Sequence, residues 1–160
     1  MFADPKYRYR RRLPHLQRDE RAVFITFATA RRWLLPPAAR DIVLQCCLTH
    51  HGNQYELFTV VVMPDHAHLV LSPLRRPDGW CWCLPEIMHA IKGASARRIN
   101  QLLGRKGAVW QQESFDHVLR SDESLDQKIE YICHNPVRAG LVSLPDQYPW
   151  LWRASVGTGL

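Results

Sequence analysis

The 160-residue chain has no long apolar run, no linker rich in glycine and serine, and no internal repeat. Its apolar stretches are far shorter than the roughly 20 residues that a transmembrane helix needs. The basic start of the chain is followed by no apolar segment of the secretory type, which favours a cytoplasmic protein. With 46% hydrophobic and 22% charged residues, the composition is typical of a globular chain. We therefore expect a single domain over residues 1–160, with no membrane partner.

The cysteines lack the spacing of a zinc site. Cys81 and Cys83 are separated by one residue, where zinc-binding pairs have at least two, and no second pair of that kind exists. The five cysteines are an odd number and do not fit the disulfide framework of a small secreted domain. We expect reduced thiols that are mostly buried.

Acidic residues are the scarcer charge. The chain has 15 of them against 21 lysines and arginines, which gives a net charge of +6 with histidine neutral. The basic residues concentrate in residues 1–12 and in residues 89–110, and the second of these segments contains no acid. One such run is more often a solvated surface, but two runs in one small basic domain favour a phosphate-binding surface.

The hydrophobic pattern predicts an α+β sandwich with a largely antiparallel sheet and helices packed on it. Strands are predicted over residues 23–29, 55–63 and 66–71, with shorter strand pieces over 109–111 and 117–120. Helices are predicted from Pro36-Pro37 to Leu48, over 85–103, and from a cap at Ser121 towards Asn135. Pro136 should end or kink the last helix.

Two histidines on one predicted strand, His66 and His68, are the first candidates for chemistry. Alternate residues of a strand point to the same side, about 7 Å apart along the backbone. Two imidazoles on one face can hold a divalent ion if a third ligand comes from elsewhere. Most such pairs are ordinary surface or hydrogen-bonding histidines, but this pair lies at the mouth of a rigid sheet, directly after Met63-Pro64-Asp65.

Tyr131 and Asn135 are spaced one helical turn apart and would share a helix face. A tyrosine oxygen can act as a nucleophile, and an amide oxygen one turn later is a possible third metal ligand. The alternatives are a core tyrosine with a satisfied hydroxyl, and an N-cap formed by Asn135 before Pro136.

Together these residues resemble the REP-associated tyrosine transposases, a branch of the single-tyrosine HUH transposases (the IS200-like superfamily). The resemblance covers roughly residues 20–152, with Tyr148-Pro149-Trp150 near its end, and several motifs occur in the right order. They are Val61–Leu71 (VVMPDHAHLVL), Ile91–Ser95 (IKGAS), Val109–Gln111 (VWQ) and Tyr131–Val142 (YICHNPVRAGLV).

The resemblance implies a ferredoxin-like α+β fold and a metal-dependent tyrosine transposase. In such an enzyme His66 and His68 would be metal ligands for Mg²⁺ or Mn²⁺ and Tyr131 would be the nucleophile. Asn135 would take the place of the glutamine that related enzymes carry one turn after the tyrosine. The reaction would cleave and rejoin DNA strands through a 5′-phosphotyrosine. Asp65, His134 and Ala67 depart from the usual pattern but remove no required functional group.

The implied partner is single-stranded or hairpin DNA of the REP type, imperfect palindromes in bacterial genomes. We therefore expect a cytoplasmic, nucleoid-associated protein, either a monomer or a homodimer. A basic N-terminal arm over residues 1–20 and the later basic segment would contact the DNA backbone. The assigned residues are Arg10, Arg11, Arg12, Lys92, Arg97, Arg98, Arg105 and Lys106. Three tryptophans could stack on unpaired bases, although tryptophans are more often core residues; they are Trp80, Trp82 and Trp110.

Two other classes of function remain open at this stage. One is a catalytically silent, domesticated protein that binds DNA hairpins without strand transfer. The other is a ferredoxin-like RNA-binding module, which would stack bases on aromatic residues of the sheet. The histidines on the predicted sheet face make this last class the least favoured.

Overall fold

A computed structural model describes residues 21–120 and 124–155 of the chain. Within these residues, five strands form one sheet: β1 (Val23–Ala28), β2 (Tyr55–Val62), β3 (His66–Pro73), β4 (Phe115–Val118) and β5 (Leu151–Arg153). The helices are α1 (Pro37–Thr49), α2 (Leu84–Leu103), α3 (Leu125–Cys133) and α4 (Asn135–Arg138), with 3₁₀ turns at Ala30–Arg32 and Pro145–Gln147. Arg10, Arg11, Arg12 and the rest of the expected N-terminal arm lie outside the described residues.

The sheet order is β4-β1-β3-β2-β5, and each neighbouring pair is antiparallel. The first four strands, with α1 and α2 as crossovers, form the βαββαβ arrangement of a ferredoxin-like fold. The fold class expected from the sequence is therefore confirmed. The histidine strand β3 lies at the centre of the sheet, hydrogen-bonded on both sides, so its backbone is a rigid support.

Side-chain alternation divides the sheet into two faces. On one face, alternate residues of β1 and β3 such as Ile25 and Leu69 join α1 and α2 in the larger hydrophobic core. On the other face, Val61 and Val70 pack with Ile132 of α3 in a smaller core. His66 and His68 share the side of β3 that carries Val70. We call this second side of the sheet the histidine face.

Three local predictions are wrong. The first is the cap of the last helix: α3 has Ser124 as its N-cap, whose hydroxyl accepts the Gln127 backbone N–H at 3.2 Å, and the expected cap Ser121 lies outside the described residues. The second is the strand piece at 109–111, which is only an isolated bridge between Thr29 and Trp110. The third is an omission, because β5 was not predicted at all.

Trp110 is a core residue and not a platform for stacking bases. Its indole is buried, donates a hydrogen bond to the Ser95 hydroxyl at 2.9 Å, and meets the Phe27 ring edge-on at a centroid distance of 4.7 Å. The five cysteines are free and buried, as the sequence predicted. Across the described parts of the chain, no helix is both long and apolar enough to cross a bilayer.

Candidate active site

The two histidine rings of β3 lie side by side on the histidine face. The ring centroids of His66 and His68 are 4.7 Å apart, and the ring planes are inclined by 74°. Both side chains are partly exposed, whereas Ala67 between them is fully buried against the larger core. The strand therefore presents both imidazoles on one side, as the alternation predicted.

Each imidazole is held through its Nδ1 atom, which leaves Nε2 available. His66 Nδ1 lies 2.7 Å from Asp65 Oδ1, and His68 Nδ1 lies 2.7 Å from the Thr26 hydroxyl oxygen. With the proton on Nδ1, each ring donates to its oxygen partner and keeps the Nε2 lone pair free. This is the usual arrangement for a metal-binding histidine, because the second hydrogen bond fixes both tautomer and ring orientation.

The electrostatic surroundings keep His68 neutral and Asp65 ionised. Burial first, and then electrostatic interactions with neighbouring His66, Arg138 and Lys128, lower the pKa of His68 to about 4. For Asp65, partial burial acts to raise the pKa, but hydrogen bonds and charges from His66 and Arg32 outweigh it and lower the pKa. A neutral imidazole is the form that binds a metal, which suits His68, and an ionised carboxylate is the form that accepts a hydrogen bond from a metal-binding histidine, which suits Asp65 beside His66.

The Asp65 carboxylate also anchors an arginine that the sequence analysis did not identify. Arg32 Nε donates to Asp65 Oδ2 at 3.0 Å, and more than half of the Arg32 side chain remains exposed. Arg31 and Arg32 both adopt a backbone φ of 55°, a left-handed conformation that costs energy in non-glycine residues. The strained turn places a cation beside the histidine pair, and no sequence pattern marks it.

Two cations lie against the ring of Tyr131 in α3. Its side chain is 55% exposed, with Arg138 Cζ 3.9 Å and Lys128 Nζ 5.4 Å from its ring centroid. Arg138 Nη2 also donates to the Tyr131 backbone carbonyl at 2.5 Å. Carbonyls in the last turn of a helix lack intrahelical donors, so this hydrogen bond satisfies one of them. Arg138 therefore contacts both the ring and the backbone of Tyr131.

A chain of ring contacts connects the tyrosine to the histidines. Lys128 Nζ lies 4.5 Å above the Phe24 ring, and Phe24 stacks on His68 with a centroid distance of 5.6 Å and an angle of 22°. Lys128 thus contacts both Tyr131 and the aromatic neighbour of His68. Through these contacts, Tyr131 and the histidine pair lie on the same face of the sheet.

The capping role weighed for Asn135 is wrong. His134 is the N-cap of α4, and Asn135 is its first residue. The side-chain nitrogen of Asn135 is buried and has no hydrogen-bond partner among the described residues. Because the oxygen and nitrogen of an amide are exchanged by a half-turn, either atom can occupy this position. A buried amide without a partner is costly, by about 1–3 kcal/mol, unless a ligand completes it.

These residues fit the divalent metal that the resemblance implies. Within the described residues, no group of three or more His, Cys, Asp or Glu side chains is placed to hold a metal ion. Among the described residues, a third protein ligand for the histidine pair would therefore be of another type. The amide of Asn135 has the chemistry for that place, since its buried end has no partner among the described residues and amide oxygens suit Mg²⁺ and Mn²⁺.

The basic residues predicted for DNA contact, as far as the structure describes them, lie away from the histidine pair. Those within the described residues belong to α2 and the loop after it, which pack against the opposite face of the sheet. The Lys92 ammonium is engaged by Gln111, Gln112 and Ser114 at 2.7–3.3 Å, and burial lowers its pKa. Arg98 donates to Gln45 Oε1 at 2.8 Å.

The other three described members of this basic set differ in their surroundings. Arg105 lies over the Trp33 ring at 3.9 Å. Arg97 and Lys106 are exposed. DNA contact by this set remains a prediction, and none of its members is brought to the histidine pair.

The cations that do surround the site are Arg32, Lys128 and Arg138. Two of them carried a sequence signal, since Lys128 is three residues before Tyr131 and Arg138 is seven after it, a spacing that favours one helix face. A run of basic residues does not reveal this signal, because Lys128 and Arg138 are ten positions apart in the sequence.

The chain matches known proteins over the segment that contains this site. A model of the family described as Transposase IS200 like matches residues 24–135. A Haemophilus influenzae protein with the provisional name REP-associated tyrosine transposase is 24% identical over 101 residues, which are 60% of this chain and 57% of that protein. The ISDra2 transposase TnpA of Deinococcus radiodurans is 42% identical over 60 residues, 38% of this chain and 34% of that protein. The chain thus spans little more than half of the first relative's length and about a third of the second's.

A solved structure supports the fold. The structure of a REP-associated tyrosine transposase bound to a REP hairpin superposes with a TM-score of 0.64 at 21% identity, covering 83% of this chain and 76% of that one. The family match extends over well over half of the 160 residues and includes His66, His68, Tyr131 and Asn135. The resemblance to the REP-associated tyrosine transposases is thereby confirmed, and the chain belongs to the IS200-like transposase family.

Proposed function

We propose that the chain cleaves and rejoins single-stranded or hairpin DNA through a covalent 5′-phosphotyrosine formed at Tyr131. One observation carries the proposal. An exposed tyrosine flanked by two cations lies on the same sheet face as two histidines whose Nε2 atoms are free. A nucleophile, a pair of metal ligands and positive charge are the parts that phosphoryl transfer to a tyrosine needs.

In this proposal Tyr131 Oη attacks the scissile phosphorus and forms the O–P bond of the 5′-phosphotyrosine. The bond from phosphorus to the 3′ oxygen breaks, and that oxygen leaves as a hydroxyl, so that a proton passes in net from the phenol to the leaving group. A divalent ion held by His66, His68 and Asn135 would polarise the phosphate and offset its developing charge. The covalent link retains the phosphodiester, so a 3′ hydroxyl can reverse the step and rejoin strands.

The cations around the site have two separate tasks in this proposal. Arg138 orients Tyr131, because it contacts the ring and binds the carbonyl of the same residue. Lys128 and the exposed part of Arg32 supply positive charge to the phosphate oxygens on either side of the histidine pair. Preorganised charges at such a site stabilise the transition state more than charges in bulk water do.

We further propose that the substrate is an imperfect palindrome of the REP type, in keeping with the names of the relatives and with the REP hairpin in the similar structure. Incubation of the protein with labelled hairpin oligonucleotides and Mn²⁺, followed by a denaturing gel, tests the function. We expect a labelled species of protein size. A catalytically silent hairpin-binding protein would shift the same DNA on a native gel but give no covalent species.

Asn135 can be tested with two substitutions of opposite outcome. Asn135→Asp keeps an oxygen within reach of the ion, whereas Asn135→Ser is too short to reach it. We expect the serine variant to lose tenfold or more in Mn²⁺ affinity and cleavage, equivalent to about 1.4 kcal/mol. Its melting temperature should stay near that of the wild type, because the side chain caps no helix. Normal cleavage by the serine variant would require a different third ligand.

The basic surface of α2 can be separated from the site by salt dependence. Replacing Arg97 and Arg98 with alanine should lower the magnitude of the negative slope of log binding constant against log salt by about one to two units, because fewer phosphates are then neutralised. Lys128→Gln should instead slow cleavage of bound DNA at saturating protein, because Lys128 contacts the Tyr131 ring. Quantitative binding between low and moderate salt gives the slopes. An unchanged slope for the arginine variant would mean that this part of α2 faces away from DNA.

A further inference from the structure

An exposed aromatic ring continues the histidine face towards the edge of the sheet. Phe115, the first residue of β4, is 61% exposed, although large apolar side chains are normally buried. It is paired with Thr26 of β1, and cross-strand partners point to the same side, so Phe115 lies on the histidine face. Its ring meets Phe24 edge-on at a centroid distance of 6.2 Å.

The aromatic ledge, Phe24 and Phe115, therefore runs from His68 to the edge strand. Phe24 stacks on His68, and Phe115 follows as the exposed end of the row. The cation of Lys128 lies 4.5 Å above Phe24, on the solvent side of the same surface. An open ring next to a cation suits a single nucleotide, since the ring can stack on the base while the cation binds a phosphate.

We propose that the aromatic ledge is a stacking site for an unpaired base of the DNA strand that reaches the histidine pair, with Phe115 as its main contact. The inference rests on the proposed function, because it takes single-stranded DNA as the ligand. Stacking is tolerant of sequence, since every base has a π face, so the site would hold the strand in place rather than read its identity. It would favour hairpins with an unpaired flank over hairpins without one.

Equilibrium binding in EDTA tests the site without cleavage, using hairpin oligonucleotides with and without a short unpaired flank. Phe115→Leu keeps an apolar side chain on β4 but has no ring, and Phe115→Tyr keeps the ring. We expect the leucine variant to bind the flanked hairpin about tenfold more weakly and to bind the flankless hairpin as the wild type does. The tyrosine variant should restore wild-type affinity. Melting temperatures confirm that both variants are folded.

A fluorescent base reports stacking directly. 2-Aminopurine placed at each position of the unpaired flank should be quenched by the wild type and the Phe115→Tyr variant at one position, and not by Phe115→Leu. Three results would each overturn the inference: an equal loss of affinity of Phe115→Leu for both hairpins, no loss of affinity for either, or quenching that does not depend on the position of 2-aminopurine. So would a change from dimer to monomer in Phe115→Leu, measured by light scattering, because the ring would then serve a contact between copies of the chain.

The binding experiment also separates this inference from the proposed function. Covalent adduct formation needs Mn²⁺ and Tyr131, whereas stacking needs neither. A wild-type protein that forms no adduct but shows ring-dependent binding of the flank would refute the cleavage function and support the ledge. A wild-type protein that forms the adduct, with a Phe115→Leu variant that binds the flanked hairpin normally, would support the cleavage function and refute the stacking site.

Discussion

Replacement of Tyr131 by phenylalanine is expected to abolish the covalent adduct while leaving hairpin binding nearly unchanged. The substitution removes one hydroxyl, which is the proposed nucleophile, and keeps the ring against which Arg138 and Lys128 lie. The cations therefore stay in place, so binding of the DNA backbone should persist. The measurement is a denaturing gel for the adduct beside a native gel for binding, with the same labelled hairpin.

The other tyrosines within the described residues are poor nucleophiles. Tyr55 is fully buried and donates to the Cys47 carbonyl at 2.6 Å, and burial raises its pKa. Tyr148 is nearly as buried and donates to the Val62 carbonyl at 2.5 Å, and burial raises its pKa as well. Tyr148→Phe is thus a matched control that should still form the adduct. An adduct that survives Tyr131→Phe would assign the nucleophile to another residue.

The central strands could be predicted because their pattern is local. In β1 a buried residue alternates with a partly buried one along the whole strand, as the period of two requires. The run of apolar residues in β2 indicated burial on both faces. In the structure this strand lies between β3 and β5, with helices on both sides, and a register shift between Leu57 and Thr59 changes which residues face each core.

The edge elements could not be predicted because their stability comes from distant partners. The strand β5 has only three residues, and it exists because Val60 and its neighbours in β2 supply the hydrogen bonds. Ser121 and Ser124 are both good N-cap residues, and sequence alone does not select between them. The choice depends on where packing of Ile132 against Val61 places α3 on the sheet.

The residues of the candidate site divide in the same way, into those that a local sequence pattern identifies and those that it does not. The histidine pair and Tyr131 were identified from spacing and family resemblance, since strand and helix periods are local. The supporting residues were not, because Thr26 reaches His68 across two strands and Arg32 reaches Asp65 through a strained turn. Contacts of this kind join residues more than 30 positions apart, and no short motif records them.

The second large effect is expected at the histidine pair. Replacing His68 with alanine should reduce Mn²⁺-dependent adduct formation by about a hundredfold or more, because one of two imidazole ligands is lost. Binding of the hairpin in EDTA should change little, since no phosphate-binding cation is removed. His66→Ala should behave in the same way, as the two rings lie side by side on the histidine face.

A substitution at Thr26 distinguishes metal binding from a structural role of the histidines. Thr26→Val keeps the size and β-branched shape of the side chain but removes the hydroxyl that lies 2.7 Å from His68 Nδ1. If His68 binds the ion through Nε2, loss of this oxygen frees the tautomer and the orientation of the ring. Half-maximal activity should then require about ten times more Mn²⁺, with near-normal activity at saturation.

The dependence on Mn²⁺ concentration is the decisive measurement. A structural histidine would lower the melting temperature in the alanine variants without shifting the Mn²⁺ requirement of Thr26→Val. A metal ligand shifts the Mn²⁺ requirement in a graded order, with His68→Ala affected most, Thr26→Val less and the wild type least. Equal Mn²⁺ curves for the wild type and Thr26→Val, together with active alanine variants, would remove the histidine pair from the proposed mechanism. The histidines would then serve only the packing of Phe24 against β3.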